Sequence, residues 1–183
     1  ATPMQGLMTF CIAKSLELAE MLGYEDRAAV KEWSKVLDQM RRASKSKLYD
    51  KQRGVMLSGD QGQVSYLSQA WMTLSDTFSR KEAQRAMRYV LENEDTCYPG
   101  SPYAYHYIIE ALLHCGMETE ARELMVKYWG GMIQKGADTF WEVYDPKDDK
   151  RSPYGAHVVN SACHAWSCTP VYFINKYKDI FQQ

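Results

Sequence analysis

The sequence is poor in the features that mark specialised classes of chain. It holds no apolar run approaching the roughly 18 residues that a membrane span needs. It has no basic stripe and no acidic tail, since 22 Lys and Arg stand against 23 Asp and Glu for a net charge of -1. Nothing of that kind would attract nucleic acid. The five cysteines (Cys11, Cys97, Cys115, Cys163 and Cys168) are odd in number and form no C-x-x-C pair. That argues against a disulfide framework and for buried or free thiols. No leader is legible, yet the chain opens at Ala1-Thr2-Pro3-Met4, directly in a helical pattern. It reads as a cut piece, so the missing leader assigns neither a periplasmic nor a cytoplasmic address.

What remains is globular. Over 183 residues, 45% hydrophobic and 13% aromatic content suffices for one domain with a core, and the length is too short for two. The dominant period is helical. Met4, Leu7, Met8, Cys11 and Ile12 begin one stripe, which stops at Gly23. Val30, Trp33, Val36, Leu37 and Met40 form a second; Val64, Leu67, Trp71, Leu74 and Phe78 a third. Ala83, Ala86, Met87 and Val90 make a short fourth, and Tyr105, Ile108, Ile109 and Leu112 a fifth that ends near Gly116. Leu124, Met125, Tyr128, Trp129 and Met132 make a sixth. The spacing predicts a seventh from about His157 towards Tyr177, bent or restarted at Pro170. The only strand signal is a small hairpin around Gly54 to Gly59. The predicted fold is all-α.

Tight turns join these helices in pairs, at Gly23-Tyr24, at Ser79-Arg80 and at Gly116-Met117. Long links separate the pairs, at Lys47 to Gln63, Glu92 to Pro102 and Lys135 to Ala156. The repeating unit is therefore a helical hairpin, with all long loops expected at one end of the array. Such loops carry function more often than the scaffold beneath them. Stacked hairpins make either an open α-solenoid that binds a protein partner or a closed α/α toroid around a carbohydrate bowl, and periodicity does not choose.

The longest link carries the phrase Gly136-Ala137-Asp138-Thr139-Phe140-Trp141-Glu142, then Ser152-Pro153-Tyr154-Gly155, then His164-Ala165-Trp166-Ser167. Glycoside hydrolysis needs one carboxylate to act on water or on the anomeric carbon and a second carboxyl to protonate the leaving oxygen. Flat aromatic walls suit the C–H faces of a sugar. Glu142, directly after Phe140 and Trp141, has that chemistry and those neighbours.

The G-A-D-T-F-W-E phrase, followed about twenty residues later by H-A-W-S and a proline, resembles the C-terminal active-site block of bacterial α-L-rhamnosidases. Tyr98-Pro99-Gly100-Ser101-Pro102-Tyr103 and Trp129-Gly130-Gly131-Met132 agree with it upstream. The resemblance implies an (α/α)6 barrel that hydrolyses terminal α-L-rhamnosides with inversion, of which the chain's seven helices form about half. It implies Glu142 as the general base that activates water and His164 as a sugar contact. Trp141 and Tyr103 join them as expected pocket walls. The family's general acid lies in an earlier Asp/Arg/Glu-rich block that this chain lacks. Residues 1–183 are thus expected to be a single incomplete domain, inactive alone. Its expected partners are a rhamnose-containing glycan and the N-terminal half of its own barrel, with self-association of the isolated piece. Fucosidase-like and trehalase-like barrels share the architecture but not the spaced F-W-E and H-A-W-S pair.

Plainer readings stand beside these. Glu142 also reads as a loop glutamate in an ion pair, and His164 as a satisfied core histidine. His157 and His164, seven apart with Cys163 and Cys168 nearby, supply no compact four-ligand set, so neither metal nor cofactor is assigned. Asp145 is the outside candidate for a second carboxyl, while Asp148 and Asp149 read as solvated loop. Trp33 and Trp129 are predicted to be core.

Overall fold

The helical period dominates the observed structure as well. The computed structural model describes residues 2–182, which contain eight α-helices, two short 3-10 turns and one small hairpin. They fall into two units, Ala1–Tyr98 and Pro99–Gln183.

In the first unit, α1 (Thr2–Met21) packs on α2 (Ala28–Leu48) and on α3 (Tyr66–Leu74), and α3 packs on α4 (Arg80–Glu92). The face that α1 buries is made of Gly6, Thr9 and Ala13 rather than the predicted methionine stripe; Met4 and Met8 are exposed. Gly6 shows why. A Cβ there would lie 2.7 Å from the Trp71 Cβ, so only a glycine lets the two helices approach this closely. Apolar residues occur on both sides of α1, so the periodicity could not pick the inner one. On α2, Trp33 is 46% exposed, against the expectation of a core position, because the helix turns Leu37 and Ser44 inward instead.

Helix α3 is buried almost all round, and Met56, Met72 and Val90 are fully enclosed with it. Each such side chain contributes roughly 1.5–3 kcal/mol relative to exposure. A small hairpin forms, but earlier than the predicted Gly54 to Gly59: β1 (Tyr49–Asp50), outside that span, pairs with β2 (Val55–Met56), turning at Gly54 with φ +77°. Buried Gln69 of α3 secures it: its carbonyl accepts from the Met56 N–H at 2.8 Å and its amide donates to the Met56 carbonyl at 3.0 Å. Ser79 and Glu82 form a capping box on α4, and Lys45 pairs with Glu82 at 2.7 Å.

In the second unit, α5 (Pro102–His114) and α6 (Glu118–Gln134) form the predicted hairpin through Gly116, whose φ is +78°. Tyr105 stacks on Tyr128 with centroids 3.8 Å apart, and Trp129 is 5% exposed, as core. Residues 135–168 follow as one long irregular segment, then α7 (Thr169–Lys176) and α8 (Lys178–Phe181) around fully buried Phe173.

The predicted helix from His157 does not form. Only the 3-10 turns His157–Val159 and Ala165–Ser167 occur before Thr169. The backbone of this stretch is paired across to residues 140–142, which removes the donors and acceptors that a helical ladder would need. Pro170 sits in the first turn of α7, where its missing N–H costs nothing, and starts a helix rather than bending one. His157 and His164 therefore do not share a helical face.

Candidate active site

Residues 140–142 lie against residues 161–164, joined by two backbone hydrogen bonds. The Glu142 N–H donates to the Ser161 carbonyl at 2.9 Å, and the His164 N–H donates to the Phe140 carbonyl at 2.7 Å. Two of the predicted site residues, adjacent in this segment, line different hollows. Glu142 faces a concavity of about 480 Å³ that it lines with Tyr154 and Val159. Trp141 lines a different cavity, about 430 Å³, with Tyr144, Asp145, Arg151 and His157 among its walls.

The Glu142 residue is 6% exposed, and its carboxylate is held from both sides. Oε1 accepts from the Tyr154 hydroxyl, and Oε2 accepts from the Ser161 N–H at 2.9 Å. These two donors, the Tyr154 hydroxyl foremost, hold the carboxyl below its ordinary range, with a smaller contribution from the nearby His164 ring; burial opposes them. The same contact pushes the Tyr154 phenol upward, so it stays a donor.

His164 is half-buried and caps the 3-10 turn Ala165–Ser167. Its ring meets Trp166 edge to face, with centroids 4.2 Å apart, and Trp166 in turn lies 5.6 Å from the exposed ring of Tyr103. Tyr103 also shares a hydroxyl contact with Tyr107 at 3.2 Å. The structure thus joins His164 and Tyr103 through Trp166, places Glu142 within electrostatic reach of His164, and leaves Trp141 to a different cavity.

Asp145 belongs to that second cavity. It is 5% exposed, accepts from Arg151 at 3.0 Å and caps its own turn through the Lys147 N–H at 2.9 Å. These partners occupy it as a structural anion. Beside it, Tyr128 donates to the Tyr144 carbonyl at 2.8 Å, and burial pushes its phenol far above the ordinary value.

Sequence reasoning quoted Tyr154 in the Ser152-Pro153-Tyr154-Gly155 phrase without giving it a role, and passed over Ser161, Trp166 and Ser167. Ser161 acts through its backbone N–H, which leaves no side-chain signal. Trp166 and Ser167 stood in the H-A-W-S phrase itself, which was read for its histidine.

The second unit thus carries a buried, doubly hydrogen-bonded carboxylate in the irregular segment that follows its helical hairpin. Residues 7–177 match the family described as the bacterial α-L-rhamnosidase six-hairpin glycosidase domain. Among solved structures, a rhamnosidase from Klebsiella oxytoca with rhamnose bound is 37% identical over 97% of this chain, with a TM-score of 0.90. A rhamnosidase of Bacillus sp. GL1 is 21% identical over 96% of the chain with a TM-score of 0.79, a likeness of fold. No curated protein matches. The chain belongs to the bacterial α-L-rhamnosidase six-hairpin glycosidase domain family. It spans 34% of the Klebsiella chain and 19% of the Bacillus chain.

Proposed function

We propose that this chain is the C-terminal portion of an α/α-barrel catalytic domain whose parent protein hydrolyses terminal α-L-rhamnosides with inversion. Glu142 is the general base. It takes a proton from water as the water oxygen attacks the anomeric carbon; the glycosidic oxygen leaves with a proton from a general acid outside this chain. In an inverting pair the two carboxyls stand roughly 6.5–9.5 Å apart, room enough for that water. His164 contacts the sugar, and Tyr103 with Trp166 forms an aromatic wall. Trp141 acts on the sugar only through the cavity it lines with Tyr144.

The observation that carries this reading is the buried Glu142 carboxylate, which accepts from the Tyr154 hydroxyl and the Ser161 N–H, two donors that favour the ionised form a base needs. The rhamnose in the 37% identical relative supports the choice of sugar. The exposed Met4 and Met8 of α1 support the incomplete-domain reading, since an apolar helix face of that kind normally packs on a neighbour.

The test is hydrolysis of p-nitrophenyl α-L-rhamnoside by the full parent protein, wild type beside Glu142→Gln. We expect a loss of about 100-fold or more in kcat with the fold retained, and a first-formed sugar of inverted configuration by NMR. Unchanged turnover in Glu142→Gln would remove it from the mechanism.

A further inference from the structure

The Glu142 carboxylate has one protein donor on each oxygen, and the two donors differ in kind. Ser161 presents a backbone N–H, held in place by the hydrogen bonds from the Glu142 N–H to the Ser161 carbonyl and from the His164 N–H to the Phe140 carbonyl. Tyr154 presents a hydroxyl on a ring that is 55% exposed. A ring that open adds little to the core, so its position is not explained by packing. Its hydroxyl reaches Glu142 from a separate part of the segment, 12 residues along the chain. One backbone N–H alone would let the carboxylate rotate about its last torsion, a broad and soft one. A second donor on the other oxygen fixes the plane of the group. Each oxygen still keeps a lone pair, and the concavity that Glu142, Tyr154 and Val159 line is where a water could reach one.

We propose that Tyr154 is a positioning residue for the Glu142 base, locking the carboxylate plane through its hydroxyl. This rests on the assignment of Glu142 as base. The titratable groups that face Glu142 are Tyr154 and His164. Removing the hydroxyl withdraws a donor from the charged form, so the carboxyl titrates at a higher pH than in the wild type.

The experiment compares the full parent protein with its Tyr154→Phe and Glu142→Gln variants in the pH dependence of kcat/KM. For Tyr154→Phe we expect the acid limb to move to higher pH while the alkaline limb stays. We also expect kcat to fall about 10-fold to 100-fold, as for a misplaced catalytic group, with KM little changed. Replacing Tyr154 by 3-fluorotyrosine, whose more acidic phenol is a stronger donor, should move the acid limb the opposite way without disturbing the fold. An acid limb that stays in place in both Tyr154 proteins, beside a collapsed Glu142→Gln, overturns this inference and leaves the base standing. Full activity in Glu142→Gln overturns the base assignment and this inference together.

Discussion

The Ser167 hydroxyl donates to the Trp141 carbonyl at 2.6 Å, while its own carbonyl accepts from the Trp129 indole at 2.9 Å. One fully buried serine thus joins the two separated parts of the motif to each other and both to α6. The F-W-E and H-A-W-S phrases are held together by this fastening as much as by the pairing at Glu142.

Ser167→Ala should therefore loosen the site from behind. It leaves the part-buried Trp141 carbonyl without its donor, at about 0.5–1.5 kcal/mol, while the Trp129 contact to the backbone survives. Urea unfolding should show a lower midpoint with an unchanged slope. Hydrogen exchange should quicken at the Glu142 and His164 amides. A midpoint equal to that of the wild type would mean that the fastening carries no energy.

Adjacent glycines on α6 offer an internal control. A Cβ on Gly131 would stand 2.5 Å from the Tyr144 hydroxyl oxygen, whereas one on Gly130 meets nothing within 4 Å. Gly131→Ala must displace Tyr144 from beside the site and should cost about 1–3 kcal/mol as overpacking. Gly130→Ala should stabilise by about 0.5–1 kcal/mol, because alanine suits a helix interior better than glycine. Similar melting temperatures for the two variants would contradict the packing described for Tyr144.

His106 on α5 makes stability pH-dependent. Its Nδ1 lies 3.3 Å from the Thr169 hydroxyl, and its ring packs against Tyr107, Tyr172 and Phe173. Burial pushes its pKa below the ordinary value; Glu110 partly offsets this and Lys176 adds to it. The unfolded chain then binds a proton that the folded chain refuses. Stability is complete above the ordinary histidine value and falls as pH drops through that value towards the depressed one. Melting curves at about pH 8 and about pH 5 should differ more for the wild type than for His106→Gln, which has no proton to gain. Equal differences in the two proteins would assign the acid sensitivity to other groups.

Much of the fold was legible because its determinants are local. Apolar spacing marked α3 to α6, and Gly23 and Gly116 marked turns that require positive φ, which both adopt. The site was legible only through its motif. Glu142 and His164 stood out as residue types in a recognisable phrase, whereas their partners did not. Tyr154 meets Glu142 across 12 positions and Ser161 across 19, distances over which a sequence carries no spacing rule.

Helical period, turn glycines and residue type act within a few positions, so the paired helices and a candidate site in the longest link were legible from the chain alone. Three outcomes waited on tertiary structure: which face of α1 turns inward, whether residues 157–168 form a helix, and which of Trp141 and Glu142 shares a concavity with Tyr154. Each is a competition between local preference and long-range contact. Close approach at Gly6 set the first, backbone hydrogen bonds to residues 140 and 142 set the second, and the Tyr154 and Ser161 donors that hold Glu142 set the third. A buried backbone must find partners wherever the fold provides them.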